Sequence, residues 1–88
     1  MRIKPGFAKR EIAGAIIVVP VGKASADFNG MITLNESGSF FWDCLSKETT
    51  IEKVLDAVIN EYDVDRQTAQ RDIEKFIEML RSNNLIEE

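Results

Sequence analysis

Nucleophiles, bases and metal ligands are scarce in this sequence. It has no histidine and one cysteine, Cys44. A cysteine attacks as the thiolate, a form that a neighbouring base or a helix N-terminus supplies. Cys44 falls a turn or more inside a helix-forming stretch, so the helix dipole helps it little, and no histidine exists to take its proton. A lone cysteine forms neither an internal disulfide nor a CxxC metal site. Carboxylates are plentiful. Glu74 and Glu78 stand at i, i+4 and Asp72 flanks Lys75, but Arg71 and Arg81 interleave with them as on a solvated helix face. The five glycines, Gly6, Gly14, Gly22, Gly30 and Gly38, are too widely spaced for a phosphate-cradling loop. These residue types argue against an enzyme and call for no cofactor and no metal. They leave binding as the chemistry to look for.

Size and charge narrow the partner. At 88 residues the chain is one domain over 1–88, large enough for a single modest core but not for a deep enclosed site as well. No apolar run approaches the ~20 residues of a membrane span, and the start of the chain lacks the apolar centre of a signal peptide. With one unpaired cysteine, the expected compartment is the reducing cytoplasm. The net charge of −4 is uneven. Residues 1–34 carry five basic side chains against Glu11 and Asp27, whereas residues 35–88 carry six against thirteen acidic ones. The larger, acidic part would repel a phosphate backbone, so no nucleic-acid partner is expected.

The elements that must position a binding site divide near Leu34. Before it the chain is rich in β-branched residues and glycine. Residues 7–12 read as a strand, Ala13-Gly14 as a compact turn and the apolar run 15–19, closed by Pro20, as a second strand. A loop over 22–29, around Phe28, leads to a third strand over 30–34. There Met31 and Thr33 share one face, Ile32 and Leu34 the other. Short links between sequential strands predict an antiparallel meander.

Three helices follow. Asn35 is a suitable N-cap for a first helix over 36–45, with Gly38, Phe41, Trp42 and Leu45 on its apolar face and Phe40 off it. Thr49 and Glu52 fit a capping box before a second helix striped by Ile51, Val54, Leu55, Val58, Ile59 and Tyr62. Asp65 caps a third helix, with Val64 and Ala69 spaced as a hydrophobic staple. Its stripe is Ala69, Ile73, Phe76, Ile77 and Leu80. Asn83-Asn84 ends it, because asparagine tolerates the left-handed conformation, and Leu85-Ile86 folds back on the core. The fold class is α+β: a three-stranded antiparallel sheet followed by a winged-helix-like bundle of three helices, in the order βββααα.

The third strand has neither proline nor charge, so it lacks the usual defences of a sheet edge. Helix three offers a facing wall in which Met79 sits off the core stripe beside Asp72 and Lys75. A methionine among mixed charges makes an adaptable surface. This juxtaposition predicts strand addition: an extended peptide pairs with the third strand and sinks alternate side chains against the third helix.

The run Leu34-Asn35-Glu36-Ser37-Gly38-Ser39-Phe40-Phe41-Trp42 resembles the PqqD-like family of peptide-recognition elements, which serve pathways that modify ribosomally made peptides. Ile51, Val54, Val58 and Tyr62, then Asp72-Ile73, Phe76-Ile77 and Leu80, the ending Leu85-Ile86 and the opening Ile3-Lys4-Pro5-Gly6-Phe7 extend the likeness over nearly the whole chain. The order and spacing of these residues carry the resemblance more than any one of them. It departs from the family where glycines often separate the first two helices and follow the third. Lys47-Glu48-Thr49 and Asn83-Asn84 stand there instead. The resemblance implies a three-stranded sheet on a winged-helix-like bundle. It also implies noncatalytic binding of a precursor's leader peptide, and delivery to a modifying enzyme such as a radical SAM maturase. The implied site is Met31, Ile32, Thr33 and Leu34 facing Asp72, Lys75, Phe76 and Met79.

Two other readings stay open at this level. The run 15–19 puts apolar side chains on both sheet faces, and a bare face would favour a scaffold that forms a homodimer through its N-terminal sheet. A winged-helix DNA binder would read bases with the third helix, where Arg66, Arg71, Lys75 and Arg81 are interrupted by Asp72, Glu74 and Glu78.

Overall fold

The computed structural model describes residues 1–22 and 31–88. The loop expected over 22–29 lies outside the described residues except for Gly22, and so does Gly30 at the start of the third strand. The order of elements is β1 (Arg2–Ile3), β2 (Phe7–Ile12), β3 (Ala15–Pro20), β4 (Ile32–Leu34), α1 (Glu36–Leu45), α2 (Ile51–Glu61), α3 (Arg66–Ser82) and β5 (Ile86–Glu87). The three-stranded antiparallel sheet followed by three helices is present, with spatial order β2-β3-β4.

The hairpin between β2 and β3 has a two-residue loop, since Ile12 pairs with Ala15. Ala13 at φ 52° and Gly14 at φ 82° both take the left-handed region. Two positive φ values make the turn whose twist matches a two-residue hairpin. Glycine adopts that conformation freely, whereas alanine bears a steric cost. β4 then pairs with β3 through Ile16 with Leu34, Ile17 with Thr33 and Val18 with Ile32.

The core forms where Val18 and Leu34 of the sheet meet the apolar stripes of the helices. Phe41, Trp42 and Leu45 come from α1, Val54, Leu55 and Val58 from α2, and Ile73, Ile77 and Leu80 from α3. Burying each such side chain contributes about 1.5–3 kcal/mol. Phe76 departs from the expected stripe. It is only half-buried and meets Phe41 edge-on at 5.5 Å between centroids, which puts it at the border of the core. Phe40, off the apolar face of α1, is covered by Tyr62 in a T-shaped contact at 5.4 Å.

The caps set the helix limits. Asn35 Oδ1 accepts the Gly38 N–H at 2.7 Å, and Asp65 Oδ1 accepts the Thr68 N–H at 2.8 Å. The cap of α2 lies one residue later than the sequence suggests. Thr50 Oγ1 accepts from the Lys53 N–H at 3.2 Å, while the Thr49 N–H is drawn away to the Met1 carbonyl at 2.9 Å. At the end of α3, Asn84 takes φ 60°, the conformation a glycine would supply. The Leu85 N–H reaches the Leu80 carbonyl at 2.9 Å and the Asn84 N–H that of Arg81 at 3.0 Å, the paired bonds of a Schellman termination.

One feature is invisible to periodicity. β5 pairs with β1, Arg2 with Glu87 and Ile3 with Ile86, as a separate two-stranded sheet. The apolar ending is therefore held by a ladder as well as by burial.

Candidate functional site

The site begins with the direction of main-chain groups along β3 and β4. In an antiparallel pair the hydrogen-bonding partner alternates from residue to residue. Ala15 closes the hairpin with Ile12, and the Val21 N–H donates to the Gly6 carbonyl at 2.8 Å, so positions of this parity face β2. Ile16 and Val18 therefore face β4, opposite Leu34 and Ile32. Those two residues use their N–H and C=O groups on β3. Thr33 is left with both groups directed outward, and among the described residues no strand lies beyond it.

Beside that edge runs a groove. One part, about 500 Å³, is lined by Thr33, Leu34, Asn35, Gly38, Phe76 and Met79. It continues between α1 and α3 into a part of about 380 Å³ that adds Ser37, Phe41, Asp72 and Lys75. Asn35, Gly38, Phe76 and Met79 border both, so the two parts form one channel. Leu34, Phe41, Phe76 and Met79 give apolar walls. Asp72 and Lys75, both exposed, mark one end with opposite charges.

Gly38 makes the corner possible. A Cβ built there would lie 3.0 Å from Asn35 Oδ1, 3.5 Å from Phe76 Cε1 and 3.7 Å from Leu34 Cβ. A side chain would therefore press on the cap and fill the space where α1, α3 and β4 converge. Asn35 couples the same three parts, because it follows β4 directly and caps α1.

The structure thus brings together Thr33, Leu34, Asp72, Lys75, Phe76 and Met79. It separates two other expected residues from them. Ile32 is half-buried against the core, and Met31, just before β4, is 63% exposed. Neither lines the channel. Asn35, Ser37, Gly38 and Phe41 join it without having been marked as ligand contacts. A glycine on the apolar face of a helix was the available signal, since it costs helix stability and marks a close approach.

Other chemistry is weak. The Cys44 thiol is half-buried, and burial followed by the charge of Asp43 pushes its pKa up, so the reactive thiolate is scarce at neutral pH. Among the described residues no cluster of three histidine, cysteine, aspartate or glutamate side chains is placed to hold a metal. A shallow depression on α3, bounded by Gln67, Gln70, Arg71, Glu74, Lys75 and Glu78, belongs to one helix and has no opposing wall. Its carboxylates would meet a nucleic-acid backbone with like charge. Among the described residues no helix is long and apolar enough to cross a membrane.

Two solved structures superpose on nearly the whole chain. One, described as TbiB1 in complex with the TbiA(beta) leader peptide, is 26% identical, with a TM-score of 0.77, over 99% of this chain and 95% of its own. The other, a lasso peptide synthetase B1 complexed with the leader peptide, is 20% identical with a TM-score of 0.73, over 96% of this chain and 93% of its own. At that lower identity the second shows the shared fold. No curated protein sequence matches the chain. Residues 14–86, from the β2–β3 turn to β5, match the family model for coenzyme PQQ synthesis protein D, and the chain accordingly belongs to the PqqD family.

Proposed function

We propose that this protein is a noncatalytic recognition element that binds the leader segment of a ribosomally made precursor peptide and presents it to a modifying enzyme, for instance a radical SAM maturase. The observation that carries the reading is the outward pair of main-chain groups at Thr33 beside the Phe76–Met79 channel. A leader peptide would extend the sheet along β4 and direct alternate side chains into that channel. The likeness to TbiB1, whose structure holds a leader peptide, supports the same use of the fold.

The arithmetic fits capture followed by release. β4 has three residues, so the ladder supplies only a few bonds at about 1 kcal/mol net each. Apolar side chains entering the channel contribute up to about 1.5–3 kcal/mol apiece when well buried. Ordering a flexible peptide offsets part of that gain. Affinity on the order of micromolar follows. Asp72 and Lys75 oppose each other in charge at one end, so main-chain pairing and apolar fit, rather than net charge, carry recognition. We place the work in the cytoplasm, where Cys44 stays reduced.

The test is titration of the full chain with leader segments of ribosomally made precursor peptides, followed by NMR. Amide shifts concentrated at Thr33, Asn35, Gly38, Phe76 and Met79 are expected. Shifts confined to α2 and the C-terminal half of α1 would reject the groove.

A further inference from the structure

We propose that the sheet face turned away from the helices is a second docking surface, which takes an apolar patch of the modifying enzyme bearing a carboxylate for Arg10. Along β3 and β4, Ile16, Val18, Ile32 and Leu34 face the core. Alternation puts Ile17, Val19 and Thr33 on the other side, with Arg10 and Ile12 opposite them on β2. The same parity carries on to Val21, which still pairs with Gly6. The large apolar side chains that stand strongly exposed in the described residues are Ile12 at 57%, Val21 at 42% and Met31 at 63%. Ile12 and Val21 fall on this one face, and Met31 stands beside it at the start of β4. At its centre is Ile17, buried between Arg10 and Thr33 in the register.

Arg10 identifies the partner. Among the described strand residues it is the one charged group on this face, it is exposed, and none of the ion pairs involves it. A guanidinium covered by another surface needs an acceptor of opposite charge, or its desolvation goes uncompensated. A second copy of this chain fits badly. An isologous two-fold contact would bring two Arg10 side chains to one apolar surface on which neither copy's described residues offer a carboxylate. A different protein, apolar with an acidic residue within the patch, meets the requirement. This surface lies on the broad side of the sheet, whereas the peptide channel follows the β4 edge and α3. Peptide and enzyme can therefore be held together, as presentation requires.

A radical SAM maturase that acts on ribosomally made peptides is the probe. It is titrated into the isotope-labelled full chain, with and without leader peptide. Line broadening at Ile12, Val21 and Met31 in both titrations supports the surface. Arg10→Glu should weaken enzyme binding by at least about tenfold, the equivalent of about 1.4 kcal/mol. Leader-peptide affinity should stay within about twofold, since Arg10 lines no part of the channel. Val21→Ser, an exposed and fold-neutral change, should weaken enzyme binding without a charge change. The proposal is overturned if the enzyme does not bind, or if neither substitution alters its affinity. It is also overturned if sedimentation shows a dimer that Val21→Ser dissolves, because the occupant is then a second copy. An enzyme that binds this face of a chain with no affinity for leader peptide would leave this inference standing and remove the function proposed above.

Discussion

The sheet has two edges, and they are built differently. β2 is six residues long and carries Lys9, Arg10 and Glu11 in succession. Lys9 reaches across to α1, where its ammonium group donates to Ser39 Oγ at 2.8 Å and to Asp43 Oδ1 at 2.7 Å. Charge and a side-chain strap discourage any foreign strand from pairing there. β4 is three residues long and uncharged, and it is followed at once by the cap of α1. Beside it lies a channel instead of a strap. Among the described residues, one margin of the sheet thus carries charges and a strap while the other carries neither. The difference lies in which side chains flank equivalent main-chain groups.

Proline substitution tests this contrast most severely. Thr33→Pro removes an N–H that points away from β3, so circular dichroism should show an intact fold while leader-peptide affinity drops about 10- to 100-fold, as expected when a main-chain partner is left unpaired. Lys9→Pro removes an outward N–H from the opposite edge and should leave that affinity unchanged. Equal losses in the two variants would erase the distinction between the edges. Phe76→Ala deletes the channel wall. A loss of affinity near tenfold by calorimetry is expected, since the ring is half-buried and its full burial would contribute about 1.5–3 kcal/mol. Lys9→Ala loosens the strap on β2. The pair with Asp43 is partly exposed, at 29% and 60%, so chemical denaturation should register a loss below about 1 kcal/mol, with peptide binding intact.

The smallest effect concerns pH. The Thr68 main-chain N–H, and then its hydroxyl, bond to the Asp65 carboxylate and hold its pKa below the ordinary value of 3.8. A depressed folded-state pKa contributes stability above the unfolded value and loses it as pH falls through the folded one. Melting temperature should therefore decline as pH drops below about 4, and Asp65→Asn, which can still cap α3, should flatten that decline. Glu88, held down by its bonds from Arg81, adds to the slope in the same direction.

Much of the fold was legible residue by residue. The limits of α1 follow from Asn35 and the Gly38–Phe41–Trp42–Leu45 face, and those of α3 from Asp65 and Asn83-Asn84. The Thr49 cap was displaced to Thr50 because a long-range bond to Met1 competes for Thr49, something no local pattern contains. The β1–β5 ladder joins residues far apart in the chain through strands of two residues, too short to show a period. At the proposed site, Thr33, Leu34 and Met79 follow from an uncharged strand and an off-stripe methionine, whereas Phe76, read as core, enters only through the family resemblance. Met31 enters the expected site only through the family resemblance, and the residues lining the channel do not include it.

The sequence by itself determined the types of the three longer strands and three helices and the caps at Asn35 and Asp65. These depend on neighbours within a few positions, where propensity, capping and periodicity act. Tertiary structure alone decided which groups of β4 point outward, that Phe76 leaves the core stripe to wall a channel, and that Ile12 and Val21 share one surface. Register and packing between distant segments fix these, and a shift of one residue in pairing would reverse every one that depends on the pleat.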